Sequence, residues 1–283
     1  MAPSTTPTLR QQRLGVELRK LREQAGLTST GAAELLGVTQ ARISSIESGR
    51  YAVSAERVRA FARAYACTDE TLIGALCGMT GGRTRGWWDE YREHLPAPLV
   101  DLAELEHHAA ELRVALVIHI PALLQTTDHA RALFSEVVPP LLPYEAEHRL
   151  SHRIKRQAVL HRDPPIPYTA LIHEAALRMG FGGPRVARAQ LQHIIDMSER
   201  DNVTVRVLPF GSDAFPGTGQ SIDYAYGPVQ KLDTVQVDTH FGCEFVDAEA
   251  QLIKFRSVLD RMERASLKPA ETRDFIHRLV REI

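Results

Sequence analysis

Residues 28–49 restrict the fold of this chain more than any other stretch. Thr28 stands before a short run whose apolar positions Ala32, Ala33, Leu35 and Leu36 share a helix face, and Gly37 ends that run. Thr39 then stands where a second N-cap belongs. A further helix is expected over Gln40-Ala41-Arg42-Ile43-Ser44-Ser45-Ile46-Glu47, stopping near Gly49. Two short helices joined by the tight turn Gly37-Val38 form a helix-turn-helix arrangement.

The flanking sequence supplies helices for that pair to pack on. Leu14, Leu18 and Leu21 recur at spacings of four and three, and Gly26 follows Ala25 where a left-handed cap belongs. A fourth helix is expected after Ser54, with Val58, Phe61, Ala62 and Tyr65 on one face, and a fifth from Asp69 to Leu76. The reading is an all-α domain over residues 1–77.

At about 100° per residue the third helix sorts into two sides. Ile43 and Ile46 point inward. Ala41, Ser44 and Ser48 point outward, flanked by Gln40 and Ser45. That outer side is small, polar and free of acids, as a helix entering the major groove of double-stranded DNA must be. Gln40 is placed for a bidentate contact to adenine, and Ala41 for a thymine methyl. Ser44 and Ser45 complete the base-facing set. Thr28 and Ser29 at the start of the second helix, Thr39 at the start of the third, and the cations Arg42 and Arg50 are the candidate phosphate contacts.

Charge distribution agrees. The whole chain carries a formal net charge of −1. Residues 1–67 hold ten basic and five acidic side chains, a net of +5, and residues 68–283 a net of −6. A basic head on an acidic body is the electrostatic pattern of a chain whose head meets nucleic acid.

The stretch LGVELRKLREQAGLTSTGAAELLGVTQARISSIESGR resembles the Xre-type helix-turn-helix of the lambda and 434 repressor class. The most specific part is G-V-T-Q-x-x-I-S-x-I-E-x-G, from Gly37 to Gly49. The resemblance implies a lambda-repressor-like DNA-binding domain, and a structural ion pair between Arg22 and Glu47. It departs at Ser29, where many members carry Gln, and at Gly31, which costs a helix interior about 1 kcal/mol relative to Ala.

Gly78-Met79-Thr80-Gly81-Gly82-Arg83-Thr84-Arg85-Gly86 reads as a linker, and residues 87–283 as a second, α+β domain with a mixed sheet. Trp87 and Trp88 open it, with Trp88 read as a buried anchor. Strands are expected at 114–118, 167–172, 203–208, 221–225 (after Gly217-Thr218-Gly219-Gln220) and 235–238. Helices are expected to 134 with Thr127 or Asp128 as cap, and at 145–160, 174–178, 184–200, 247–264 and 270–282. The segments WWDEYREHL, IPALLQTTDHARALF, RIKRQAVLHR, HEAALRMGFGGPRVARAQLQHI and NVTVRVLPFGSDAFPG resemble the domain that follows the Xre module in WhiJ-like or antitoxin-like actinobacterial regulators. Ala122 stands where that family commonly has Gly, and His129 where it commonly has Tyr. The resemblance implies a regulator, often paired with a small protein encoded beside it, and supplies no ligand or catalytic residue.

Enzyme signatures are weak. His148 and His152 are four apart, but basic neighbours and the missing Glu oppose a metal site. His173-Glu174 is not followed by a second zincin histidine, and no GxSxG elbow, P-loop or GxGxxG occurs. Cys243 near His240 reads as a small buried hydrophobe rather than a nucleophile. Glu104, Glu106 and Glu111 read as a solvated face, with docking of a basic partner as the alternative. No catalytic residue, cofactor or metal is expected. Three cysteines make no disulfide framework, no apolar run spans a bilayer, and MAPSTTPTLRQQR lacks a secretion signal, so a cytoplasmic chain without membrane contact is expected. The function expected is a DNA-binding transcriptional regulator, a homodimer whose second domain dimerises and senses a small molecule or a small partner protein. An antitoxin-like protein that neutralises a neighbour, and an enzyme in the second domain, are the alternatives.

Overall fold

The computed structural model describes residues 6–80, 86–212, 216, 219–239 and 242–283. The chain forms two compact units, Met1–Asp89 and Glu90–Ile283. Of the segments singled out in the sequence, the central part of the linker (81–85), Gly217-Thr218 and His240 lie outside the described residues.

The first unit contains α1 (Leu9–Gln24), α2 (Ser29–Leu36), α3 (Gln40–Glu47), α4 (Ala55–Ala64) and α5 (Glu70–Gly78). Side-chain oxygens of Thr8, Thr28, Thr39, Ser54 and Asp69 each cap one of these helices by accepting an early backbone N–H. Leu14, Leu18, Leu21, Ile43, Ile46, Val58, Phe61, Ala62 and Tyr65 are buried as their spacing predicts. Leu35 is a correction. It is 58% exposed, because the face of α2 that meets the other helices is set by Ala32 and Ala33.

α1 meets the end of α3 backbone to backbone. A Cβ on Gly15 would lie 2.5 Å from the Glu47 carbonyl oxygen, so only glycine fits there. Gly49 has φ +72° and is equally tight, its Cβ position lying 2.9 Å from the backbone of Gln11. Across the same junction Arg22 Nε and Nη2 donate to Glu47 at 2.6 and 2.9 Å, and Arg22 Nη1 donates to the Leu27 carbonyl at 2.7 Å. The Arg22–Glu47 pair is therefore structural.

The second unit is built on a six-stranded sheet in the order β3-β2-β1-β4-β5-β6. Its strands are β1 (Glu111–Leu116), β2 (Tyr168–His173), β3 (Val203–Leu208), β4 (Ile222–Tyr226), β5 (Thr234–Thr239) and β6 (Gly242–Val246). β1, β2 and β3 run parallel, whereas β4, β5 and β6 pair antiparallel. The sequence pattern does not show β6, whose residues alternate only between half-buried and exposed.

Side chains alternate across the sheet. Leu112, Val114, Tyr168, Ala170, Ile172, Val205 and Val207 face one core, which includes Leu191 and Ile194 of α10 (Gly183–Met197) and Ile276 of α12 (Pro269–Glu282). Ala115, Leu171, Leu208, Tyr224 and Val235 face the other, with Leu252, Leu259 and Met262 of α11 (Glu249–Ala265). The result is a mixed sheet with helices on both faces. Arg113 fastens α11 to β1 by donating to Asp260 at 2.6 Å and Glu263 at 2.5 Å.

Three further helices lie between these elements: α6 (Ala97–His108), α7 (Thr127–Ser135) and α8 (Pro143–Arg156), with α9 (Glu174–Arg178) following β2. Thr126, one residue before the expected cap, accepts the His129 N–H at the start of α7. α8 ends at Arg156, and residues 157–160 tighten into a 3₁₀ turn. Trp88 is buried, with its ring edge-on to Trp87.

Candidate nucleic-acid interface

The two capped helices present their starts together. Thr28 Oγ1 accepts the Gly31 N–H at 3.0 Å, and Thr39 Oγ1 accepts the Arg42 N–H at 3.2 Å. Gly37 takes φ +63°, which turns the chain from α2 into α3. Gln40 Nε2 lies 3.3 Å from Ser29 Oγ and 3.1 Å from Ser44 Oγ and donates toward both. The amide is thereby held across the first turn of α3, beside the start of α2.

Gln40, Ala41, Arg42 and Ser44 are exposed, as are Thr28, Thr39 and Arg50, while Ser29 and Ser45 are half-buried. No acidic side chain stands among these residues. Ser48 is a correction to the expected outward face: it is half-buried, and its hydroxyl donates to the Ser45 carbonyl at 3.2 Å. α3 has ended by that residue, so the 100° rotation no longer applies. The Arg42 guanidinium lies over the Tyr51 ring, 3.1 Å from its centroid. Tyr51 was not among the sequence candidates. It follows the helix by only a few residues and belongs to no periodic pattern, so no sequence signal marks it. Gly15 does leave one, since a glycine inside a strongly patterned helix marks a close backbone approach.

The anchoring groups behind this face are electrostatically settled. The hydrogen bonds that Arg22 donates to Glu47 hold its guanidinium charged, above its ordinary range. Burial, with the nearby Glu47 charge, pushes the Tyr65 phenol up to about 12.

In the second unit His148 and His152, four apart in sequence, have separate surroundings. His152 is buried with its ring edge-on to Tyr91, whereas His148 stacks on His94 at 4.1 Å. Among the described residues no group of three or more His, Cys, Asp and Glu side chains is arranged to hold a metal ion. Burial pushes the Cys243 thiol up to about 11, away from nucleophilic character. Glu106 corrects the solvated-face reading. It is buried and accepts Arg156 Nε and Nη2 at 2.7 and 2.6 Å. Its helix turns that side toward α8, and a cation not adjacent in sequence receives it. No helix of the described residues is long and apolar enough to cross a membrane.

Fold and site together define a helix-turn-helix DNA-binding domain carried with a mixed α+β unit. Residues 13–75 match the family described as "Helix-turn-helix domain". Residues 99–278 match the family described as "Domain of unknown function (DUF5753)", and the chain belongs to that family. No curated protein matches the chain. No solved structure matches it either.

Proposed function

We propose that the chain is a sequence-specific transcriptional regulator of the Xre type that reads double-stranded DNA with α3. The observation that carries this reading is the exposed, acid-free start of α3, where Gln40 is pre-oriented by Ser29 and Ser44. Gln40, Ala41, Ser44 and Ser45 contact base edges in the major groove. The ends of α2 and α3 at Thr28, Ser29 and Thr39, together with Arg42 and Arg50, meet phosphates. The chain works as a homodimer on two half-sites about 34 Å apart, and the α+β unit dimerises and senses a small molecule. That unit carries out no reaction of its own.

The test is binding to duplex DNA from upstream of the chain's own gene, followed by fluorescence anisotropy over a range of salt. Gln40→Ala is expected to relax base preference by about 1–3 kcal/mol. Arg50→Ala is expected to weaken all sequences alike and to lower the salt slope by about one. Unchanged binding in both variants would remove α3 as the reading helix.

A second reading, in which the α+β unit holds a small neighbour-encoded protein in an antitoxin-like manner, draws on a different observation. The connection from α7 to α8 exposes Val138 (90%), Leu142 (53%) and Tyr144 (60%). Co-purification of a small protein that is lost in Tyr144→Ser would favour it.

A further inference from the structure

The Arg42 guanidinium carbon lies 3.1 Å from the centroid of the Tyr51 ring. Other arginines that lie over rings among the described residues stand farther off, at 4.9, 5.4 and 5.7 Å. At those distances a guanidinium can tilt. At 3.1 Å two planar groups meet face to face, so the ring beneath Arg42 fixes the plane of its guanidinium.

The ring is itself tied to the helix. The Tyr51 backbone N–H donates to the Ser45 carbonyl at 3.0 Å, which folds the chain after α3 back against it. Arg42 and Ser45 are three positions apart and share a side of α3. Gln40 and Arg42 are two positions apart, about 200° of rotation, and so lie on opposite flanks of the outward face. The stack therefore closes that face on the side that Gln40 leaves open.

Nothing else occupies Arg42. It is exposed, and Tyr51 is 42% exposed, so the stack adds little to the core. Among the described residues the Arg42 side chain makes no hydrogen bond and no ion pair. A guanidinium covered on its face keeps its N–H donors at its edge, where they form a rigid fork.

Arg50 makes the contrast. It is exposed, and among the described residues no ring lies beneath it. A cation without a platform suits a phosphate, whose charge attracts from many directions. A fork fixed in one plane suits two acceptors fixed side by side. In the major groove guanine presents such a pair, N7 and O6. Adenine sets its N6 amino donor beside N7, and that donor would oppose an arginine N–H. A side chain held in place before binding also loses less freedom on binding.

We propose that Arg42, held flat by Tyr51, reads a guanine in the major groove, on the opposite flank of α3 from the base that Gln40 reads. Tyr51 is the positioning residue. This inference rests on the reading of α3 as the helix that enters the groove, and it moves Arg42 from the phosphate contacts to the base contacts.

Duplexes enriched from a randomised pool by the purified full-length chain supply the probe. The preferred duplex is expected to contain a G·C pair whose exchange for A·T weakens binding about tenfold or more. Replacing that guanine by 7-deazaguanine, which pairs normally but lacks the N7 acceptor, is expected to weaken binding about fivefold or more. Arg42→Met is expected to bind these three duplexes alike and still to discriminate at the position that Gln40 reads. Tyr51→Phe keeps the ring and is expected to match the parent. Tyr51→Ser is expected to lose about threefold or more of the guanine preference. Both positions lie at the surface, and the 7-deazaguanine comparison needs no variant at all. An Arg42→Met chain that binds every duplex more weakly by one common factor, with the salt slope lowered by about one, would show a phosphate contact and overturn the proposal. Full guanine preference in Tyr51→Ser would overturn the positioning role. A parent chain that enriches no duplex removes the DNA reading itself, whereas one that discriminates through Gln40 and not through Arg42 removes this inference alone.

Discussion

Gln40 Nε2 lies 3.3 Å from Ser29 Oγ and donates toward it, so the first residue of one helix is steadied by the first residue of the other. Both side chains lie near the surface, and neither contributes to the core. Ser29→Ala should therefore leave stability within about 0.5 kcal/mol of the parent. It should also weaken discrimination between the preferred base and its replacement at the position Gln40 reads. Urea unfolding paired with competition binding on single-base variants checks both. A discrimination identical to the parent's would show that the Ser29 contact does not orient Gln40.

Arg22 and Glu47 form the opposite case, a bidentate pair with little solvent access. Removing one member strands the other. Arg22→Ala or Glu47→Ala alone is expected to cost about 3–5 kcal/mol and to unfold the helical unit before the sheet unit on heating. Calorimetry of the full chain reads this as a shift confined to one transition.

Gly15 faces the Glu47 carbonyl with no room for a methyl group. Gly15→Ala should cost about 1–3 kcal/mol although alanine is the better helix former. A stabilised variant would mean that α1 and α3 separate easily.

Arg156 and Glu106 allow a sharper test in the second unit, because both are buried. Arg156→Met alone should be strongly destabilising, by about 3–5 kcal/mol, through the uncompensated carboxylate. Adding Glu106→Leu should recover most of that loss. A double-mutant cycle in urea measures the coupling, and strict additivity would contradict it.

Asp223 gives stability a pH dependence with a definite sign. Burial, then the neighbouring Asp238 and Glu106 charges, raises its carboxyl from 3.8 to about 7. The folded chain therefore keeps a proton that the unfolded chain has released. This contribution is fully present below pH 3.8 and is lost as pH rises through about 7. His129 and His152 act in the other direction. Burial lowers them to about 4 and about 3, so their contribution is present above pH 6.5 and is lost as pH falls toward those values. Asp223→Asn should remove the falling limb. Its stability relative to the parent should climb between about pH 4 and 7 and then level off. Urea unfolding across that range reads the difference, and a constant offset would rule the titration out.

The helices of the first unit were legible because each begins with a capping side chain and buries residues at fixed spacing. Thr28, Gly37 and Thr39 are local signals for local geometry. β1 was legible as a short apolar run, and β3 by the alternation of Val203, Val205 and Val207 with Thr204 and Arg206. β6 was not, because an edge strand such as Gly242–Val246 buries little and carries no strong alternation. Leu35 was misread because helix periodicity marks a face without saying how much of it is covered. Glu106 and Arg156, fifty positions apart, meet only through tertiary packing. A hydrogen bond between distant elements leaves no pattern along the chain. The candidate reading residues were visible individually, but the contact from Gln40 to Ser29 was not.

The approach of Gly15 and Gly49 has a consequence for how such a chain changes over generations. α3 is clamped at its end, by backbone contact with α1 and by the Arg22–Glu47 pair. Its beginning is capped by Thr39, and the Gln40 side chain there reaches the surface hydroxyls of Ser29 and Ser44. Firmness and vocabulary thus occupy opposite ends of one short helix. On the proposed reading, Gln40 and Ser44 can be replaced with little loss of folding, and a new DNA preference can be acquired without rebuilding the domain.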